Sequence, residues 1–325
     1  MDQNGVKKRK LTCTIAAVIL LLLSSCVDQP EQTIRIGSSP WSGYEPLFLS
    51  RQLGYLDEDS VSLFELPSAD ITMEAFRNHS IDIAPLPLDG VLELLQDGTK
   101  LRIILVMDVS NGGDVALVSP DIKKISDIKG KRVVAVNIPL GLYMVRRLLD
   151  KAGLERKDIN LQLITETEMV DYYKRGLADV IITYDPVKTA LQKVGMKVIF
   201  DSTEIPNEIF DVLVVHEDVY QRQTNEVCGI VKTWFKTLHY MEQNPAAAAK
   251  KISRRIGVTE ADFQTMMSGI VIPDQTRVME MLGGSSPALL APANRLVSLL
   301  VKEGLLRDKV DVSTAIDAQF ISCVK

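Results

Sequence analysis

The stretch TIRIGSSPWSGYEPLFL, residues 33–49, indicates a strand, a loop and a helix in that order. Residues from Thr33 to Gly37 alternate between apolar and polar, as strand residues do. A loop from Ser38 to Gly43 follows, and Pro46 suits the first turn of the next helix. Units of this kind are typical of α/β proteins, in which helices cover both faces of parallel sheets.

The same unit recurs along the chain. Further short strands, each leading through a loop into a helix, are predicted at Ile81–Ala84, Arg132–Val136 and Asp179–Thr183. One of the helices is predicted over Leu142–Ala152, with Gly153 just beyond its end. Residues 73–95 and 169–191 also repeat one order of helix, turn, strand, loop and helix. Two similarly built lobes would produce this repeat, although any α/β protein contains such units.

The beginning of the chain indicates export. Four basic residues, Lys7 to Lys10, precede an apolar run over residues 11–23, and Ser24-Ser25-Cys26 follows. This is the pattern of a secretory signal, and the apolar run is short for a membrane span. It also resembles a lipobox, in which Cys26 accepts a lipid. We therefore expect a lipoprotein signal at 1–25 and a tether at 26–32, anchored on the extracytoplasmic side of a membrane. An ordinary signal peptide is the alternative.

Composition excludes several classes of partner and site. The net charge is −5, and removing the signal, which carries +3, leaves −8. So acidic a protein is not expected to bind nucleic acid. Of the four cysteines, Cys228 and Cys323 could form a disulfide or lie buried and unpaired. No zinc-type spacing of His and Cys occurs, and we predict no metal and no cofactor.

The candidate binding residues lie in the loops that follow the strands. In α/β sheets, ligands bind at the carboxyl ends of the strands, near the first turns of the following helices. These loops and the strand entrances beside them contain aromatic, small polar and acidic residues, but the loops contain no Lys or Arg. The predicted ligand-binding set is Ser38, Trp41, Tyr44, Glu45, Asp89, Ser110, Asp114, Pro139, Gly141, Tyr184, Asp185 and Asp211. Any one of the acids could instead be structural, but together they favour a cationic group flanked by aromatic rings.

Four segments carry a resemblance to a known family: Trp41–Leu47, Ser110–Asp114, Tyr184–Pro186 and Ser202–Leu213. Their order and spacing resemble the solute-binding proteins of ABC importers, in the nitrate/sulfonate/taurine and thiamine-precursor group. The resemblance extends over essentially the whole chain after Cys26. The pair Tyr184-Asp185 departs from the Trp-Glu that is commoner in the group.

The resemblance implies a type II periplasmic-binding-protein fold, with two doubly wound α/β lobes joined by two crossover strands. The expected lobes are 33–118 with 213–325, and 119–212, with crossovers near Leu117–Asp121 and Phe210–Val214. Such a protein closes over its ligand by a hinge motion. In taurine-like binders, the acid matching Asp211 would face the ligand amine.

The predicted function is that of a monomeric substrate-binding subunit without catalytic chemistry. It would capture a small polar solute, with an amine-bearing molecule such as an amino-sulfonate or a pyrimidine favoured. Its partners would be an ABC permease and ATPase. Two alternatives stay open: an enzyme on the same scaffold, related to pyrimidine-synthesising or menaquinone-pathway proteins, and a sensory lipoprotein that no longer binds solute.

Overall fold

The computed structural model describes residues 33–324. The predicted signal 1–25, the lipid-accepting Cys26 and the tether 26–32 lie outside the described residues. Between residues 33 and 324, no helix combines the length and apolar character needed to cross a membrane.

Eleven strands in this range form two sheets, in the orders β11-β4-β10-β3-β1-β2 and β7-β6-β8-β5-β9. The strands are β1 (Ile34–Ser38), β2 (Val61–Glu65), β3 (Ile83–Pro87), β4 (Leu101–Ser110), β5 (Val115–Val118), β6 (Arg132–Val136), β7 (Asn160–Ile164), β8 (Val180–Thr183), β9 (Lys197–Asp201), β10 (Phe210–His216) and β11 (Ile270–Val271). Both β3 and β8 are buried along their whole length, as strands covered on both faces are.

Helices follow most of these strands. They are α1 (Glu45–Gln52), α2 (Ala69–Arg77), α3 (Leu88–Gln96), α4 (Pro139–Ala152), α5 (Met169–Lys174), α6 (Val187–Lys193), α7 (Glu217–Arg222), α8 (Thr224–Gln243), α9 (Pro245–Ile256), α10 (Glu260–Met267), α11 (Gln275–Leu282) and α12 (Leu290–Lys302). The predicted strand–loop–helix units are therefore confirmed.

Helix α4 shows how local sequence sets these boundaries. The sequence predicts a helix over Leu142–Ala152, whereas the structure begins it at Pro139, since proline is well suited to the first helical position. It ends before Gly153, which adopts the left-handed conformation with φ of 66°. A Cβ on Gly141 would lie 2.0 Å from the Val136 carbonyl oxygen, so a glycine is needed for α4 to begin against the end of β6.

The sheets are mixed, which corrects the prediction of parallel sheets. Strand β1 pairs in parallel with β2 and β3, but β10 runs antiparallel to β3 and β4. In the other sheet, β6 is parallel to β7 and β8, and β5 is antiparallel to β8 and β9. The antiparallel strands β5 and β10 directly follow the two connections between the sheets. A short apolar strand has the same sequence pattern in either direction, so the pattern alone does not distinguish them.

Strand pairing also shifts the predicted lobe boundaries by a few residues. Strand β5 pairs within the second sheet, so the chain crosses at residues 111–114 rather than near Leu117–Asp121. It returns through residues 202–209 and joins the first sheet at Phe210. The two connections touch, because the Ser202 amide donates to the Asp114 carbonyl at 3.0 Å. We call residues 34–110 with 210–324 the first lobe, and 115–201 the second lobe.

A disulfide joins Cys228 in α8 to Cys323 near the end of the chain, with the two Cα atoms 6.0 Å apart. The sequence left this pairing open. The bond spans 95 residues of chain and connects α8 to the last helical turn, Gln319–Cys323. It therefore fixes the end of the described chain to the first lobe.

Candidate functional site

A pocket lies where loops of the two lobes meet. In this structure its cavity volume is small, about 20 Å³. Its lining residues are Ser39, Trp41, Tyr44, Ala69, Pro87, Asp114, Ile138, Leu140, Tyr184 and Asp211. The structure thus brings together five of the predicted residues, namely Trp41, Tyr44, Asp114, Tyr184 and Asp211.

Aromatic side chains form the contact between the lobes at this pocket. Trp41 of the first lobe contacts Tyr184 of the second lobe edge to face. The ring centroids are 5.5 Å apart and the ring planes lie at 83° to one another. Gly113 makes room for the indole, because a Cβ there would lie 2.7 Å from its ring. The pocket therefore has an apolar wall contributed by both lobes.

Two buried carboxyl groups lie side by side beneath these rings. Asp211 on β10 is directly opposite Asp108 on β4 in the antiparallel pairing. Tyr44 donates its hydroxyl hydrogen to Asp211 Oδ1 at 2.5 Å, and Trp41 Nε1 donates to Asp108 Oδ2 at 3.0 Å. Like charges directly opposite one another destabilise a sheet, so this pair calls for a functional explanation.

Burial raises the pKa values of the acids around the pocket. Nearby carboxylates add to this at Asp89, Asp108 and Asp114, whereas hydrogen bonds lower the pKa of Asp211 and the charge of Lys188 lowers that of Asp114. Burial is the largest cause for each of them, and it brings the pKa of Asp211 to about 6, that of Asp114 to about 7 and that of Asp89 to about 8. Burial and the charge of Asp211 also raise the pKa of Asp108. Carboxyl groups with such values change charge near neutral pH.

The phenols of Tyr44 and Tyr184 stay protonated beside these acids. Burial is the main reason that both pKa values are raised well above normal, and nearby carboxylates add to it. Both hydroxyl groups therefore act as hydrogen-bond donors to carboxylates.

Asp89 lies close to this group without lining the pocket. It is in the first turn of α3 and is 3 % exposed, and its Oδ2 has no hydrogen-bond partner among the described residues. The charges of Asp211 and Asp114 both raise its pKa.

Two of the predicted acids prove to be paired with cations. Arg255 of α9 binds Glu45 through Nε at 2.7 Å, and Lys188 Nζ lies 3.6 Å from Asp185 Oδ2. Asp185 Oδ1 also accepts from the Thr189 amide in the first turn of α6, at 3.1 Å. The loops contain no Lys or Arg, as the sequence analysis states, but basic residues of helices pair with Glu45 and Asp185 in the fold.

The remaining predicted residues have packing or positioning contacts. The Ser38 hydroxyl group donates to the Ser39 carbonyl, and the Ser110 hydroxyl oxygen accepts from the Asp114 amide at 3.2 Å. Pro139 lines a neighbouring cavity of about 250 Å³, which shares Ile138 with the pocket. Gly141 packs against Val136. These residues surround the pocket but do not line it.

Sequence reasoning missed Asp108 and Glu166. Asp108 lies inside β4, which continues to Ser110, so it is not in a loop that follows a strand. The one sequence feature that could have indicated Asp108 is that it is an acid between the apolar residues Met107 and Val109. Glu166 is 4 % exposed and accepts hydrogen bonds from the Ala69 amide at 2.9 Å and from the Tyr184 hydroxyl group at 3.2 Å. No pattern in the sequence distinguishes it from its exposed neighbour Glu168.

The acids are not arranged as a metal site. Among residues 33–324, no three His, Cys, Asp or Glu side chains are placed to hold a metal ion. None of the ten lining residues is Lys, Arg, His or Cys. The arrangement is suited to binding a small cation through charge and aromatic contact.

Known proteins resemble this chain in sequence and in fold. The model of the NMT1-like family matches residues 28–257. A putative aliphatic sulfonates-binding protein of Escherichia coli K12 is 26% identical over 232 residues, which are 69% of this chain and 72% of that protein.

Solved structures share the fold at lower identity. The alkanesulfonate-binding protein SsuA from Xanthomonas axonopodis pv. citri, bound to MOPS, has a TM-score of 0.75 and 18% identity over 90% of this chain and 100% of its own. The desulfurization enzyme DszB has a TM-score of 0.67 and 15% identity over 89% of this chain and 98% of its own. These likenesses confirm the predicted fold of two α/β lobes, which binding proteins and enzymes share.

Proposed function

Because the chain belongs to the NMT1-like family, we propose that it is the solute-binding subunit of an ABC importer and that its cargo is a small amine-bearing cation. The family match and the curated relative, a binding protein, support the first part. The second part rests on one observation, which is that Asp114 and Asp211 line the pocket and no basic residue does.

The pocket would bind a protonated amine by charge and by aromatic contact. Asp211 and Asp114 are buried, so their attraction to a cation is weakly screened. The rings of Trp41, Tyr44 and Tyr184 offer faces and edges for the rest of the solute. A cation would also relieve the repulsion between Asp211 and Asp108, which gives the buried pair a reason to exist.

The proposal includes binding without turnover. The lining contains one serine, Ser39, and no histidine, cysteine or lysine that could activate it. The enzyme alternative therefore has no residue pair in the pocket to support it. The protein would release the solute to a permease, and an ATPase would power transport across the membrane.

We also propose that the protein is exported, monomeric and attached to a membrane through a lipid on Cys26. The sequence after Lys10 supports export, and a structural neighbour is the periplasmic aliphatic sulphonate-binding protein SsuA from Escherichia coli. Lipid on the cysteine would hold the two lobes near the permease.

Three small molecules that share a two-carbon chain and differ in charge test the ligand class. 2-Aminoethanol carries a cation, ethanesulfonate an anion and 2-aminoethanesulfonate both. We expect 2-aminoethanol and larger primary amines to raise the melting temperature at about pH 8, where Asp211 and Asp114 are ionised. About a hundredfold excess over Kd should stabilise by about 2.7 kcal/mol. Stabilisation by ethanesulfonate alone, or by none of the amines, would refute the proposal.

A further inference from the structure

Glu166 forms a contact between the lobes at the pocket wall. It begins a short helical turn, Glu166–Glu168, after β7 of the second lobe. Its side chain reaches the first residue of α2 in the first lobe, where Oε1 accepts from the Ala69 amide at 2.9 Å. The same oxygen accepts from the Tyr184 hydroxyl group at 3.2 Å. Ala69 and Tyr184 both line the pocket, so this oxygen lies directly behind its wall.

This position is a helix N-terminus at the pocket wall, a place that attracts anionic groups. Unpaired amides and the helix dipole make the first turn of α2, a nine-residue helix, attractive to anions. Here the Ala69 amide is already used by Glu166, and Asp70 adds a second acid to the same turn. A sulfonate or carboxylate that approaches Ala69 would therefore meet the Glu166 carboxylate and no free Ala69 amide.

We propose that Glu166 determines specificity by occupying the pocket's anion position with a carboxylate of the protein, so that the cargo is an amine without an anionic group. This inference rests on the proposed function and narrows it. The sequence analysis favoured an amino-sulfonate or a pyrimidine as the amine-bearing solute, and this inference excludes the amino-sulfonate. The solute supplies the positive charge for Asp211 and Asp114, while the protein supplies the negative charge for α2.

Ionised Glu166 is held by its hydrogen bonds against the effect of burial. Burial raises its pKa, and so does the charge of Asp70, while the bonds from its own amide, the Ala69 amide and the Tyr184 hydroxyl group lower it. The test is therefore best made at about pH 8, well above the usual carboxyl range.

The experiment compares 2-aminoethanol with 2-aminoethanesulfonate by isothermal titration calorimetry. The variants are Glu166→Ala and Glu166→Gln, and Glu168→Ala is the matched control because Glu168 is exposed in the same turn. The quantity of interest is the ratio of the affinity for the amino-sulfonate to that for the amine. We expect Glu166→Ala to raise this ratio at least about tenfold, since a hydrogen bond to a charged group becomes available.

Glu166→Gln should raise the same ratio by a smaller factor, because the amide is neutral but still fills the space. It also serves as the test if the alanine variant does not fold, which circular dichroism and melting curves report. Glu168→Ala should leave the ratio unchanged.

Two results overturn the inference while leaving the proposed function intact. One is wild-type protein that binds 2-aminoethanesulfonate at least as tightly as 2-aminoethanol. The other is an unchanged ratio in both folded Glu166 variants. A wild-type protein that binds no amine at all refutes the proposed function, and this inference with it.

Discussion

Asp108 and Asp211 are two acids that the fold places together on neighbouring strands. They are 0% and 5% exposed, and their repulsion contributes to a raised pKa at Asp108. Ionising both members of the pair is unfavourable, because each carboxylate loses water and the charge of Asp211 opposes ionisation of Asp108. Sites that bind charged ligands commonly carry such unfavourable arrangements, and the pocket above the pair is where the ligand would relieve it.

Replacing Asp211 tests whether it faces the amine. We predict that Asp211→Asn weakens 2-aminoethanol binding by about 3–5 kcal/mol, the cost of removing one member of a buried charge pair. The ligand-free variant should melt higher than wild type, since the repulsion with Asp108 is gone. Calorimetry and melting curves measure both effects.

The control for this variant is Asp121→Asn, whose side chain is 72% exposed. It should change neither binding nor melting. An equal loss of affinity for 2-aminoethanol and for uncharged 1,2-ethanediol in Asp211→Asn would instead mark Asp211 as structural.

Raised carboxyl pKa values predict opposite pH dependences for stability and for binding. The folded pKa values of Asp211, Asp114 and Asp89, about 6, 7 and 8, lie above the unfolded value of about 3.9. The folded state thus binds more protons across this range, and stability of the free protein falls as the pH rises from about 4 to 8. Each group contributes at most about 1.4 kcal/mol per pH unit.

Binding of an amine should change in the opposite direction, because it needs the carboxylates ionised. We expect affinity to be highest above about pH 7 and to fall as Asp114 and Asp211 gain protons. Melting curves and calorimetry between pH 5 and 8 measure both trends. Affinity for 2-aminoethanol that is independent of pH would contradict the assignment of these acids.

The sequence predicts the residues of the pocket that follow strands and misses those inside elements. Trp41, Tyr44 and Tyr184 could be found because loops after strands face one edge of a sheet. Asp108 could not, because a strand residue has no such marker. Glu45 was predicted to be a free acid of the site, because the sequence gives no sign that Arg255, 210 residues away, pairs with it. Pairing over such distances depends on the fold, which the local pattern does not contain.

At the scale of elements, the first turn of α4 depends on close contact with β6. We predict that Gly141→Ala destabilises the protein by about 1–3 kcal/mol, because its Cβ would lie 2.0 Å from the Val136 carbonyl oxygen. Gly229→Ala in α8 is the matched control, since nothing lies within 4 Å of a Cβ there. It should be neutral or stabilise by up to about 1 kcal/mol. Urea unfolding measures the free energy of unfolding of both variants. Equal changes in the two variants would contradict the close contact between α4 and β6.

The disulfide between α8 and the last helical turn should also contribute at this scale. We predict that Cys228→Ser with Cys323→Ser lowers the free energy of unfolding by about 2–4 kcal/mol. The affinity for 2-aminoethanol should not change, because neither cysteine lines the pocket. Unchanged unfolding in the double variant, or wild type that is insensitive to reductant, would contradict the prediction.

Elements were predicted better than their arrangement. Strand β6 has the predicted bounds, and α4 covers the predicted Leu142–Ala152 and begins three residues earlier, at Pro139. The sheet to which β5 belongs was predicted wrongly. Apolar periodicity indicates which side chains of a strand are buried, but it does not indicate which other strand pairs with that strand. Strand partners therefore need information that local sequence lacks.

At the scale of the whole molecule, the two lobes meet through rings, a carboxylate and surface charges. Trp41 contacts Tyr184, Glu166 contacts Ala69, and Lys193 of α6 binds Asp262 of α10 at 2.6 Å. The family that the sequence resemblance indicated is confirmed by the match to the NMT1-like model. Since the resemblance extends over nearly the whole chain, the fold could be predicted even where single motifs were weak.

Ligand capture should be visible through Trp41, one of two tryptophans in the chain. We predict that 2-aminoethanol changes the fluorescence of wild type, because a cation beside Asp211 alters the field at the indole that lines the same pocket. Trp41→Phe should lose the change, while buried Trp234 keeps the background emission. A change that persists in Trp41→Phe, or none during binding detected by calorimetry, would contradict this placement.

The contact between the Ser202 amide and the Asp114 carbonyl means that the polypeptide leaves the first lobe and comes back at one spot. Residues 115–201 are therefore an insertion with adjoining ends, which could be grafted in from a related protein without rerouting the host chain. Because only some of the pocket lining belongs to this insert, such a chimera would keep Asp211 and exchange Tyr184. Exchange of the second lobe alone would thus change the preference for cargo while the first lobe kept its residues of the pocket.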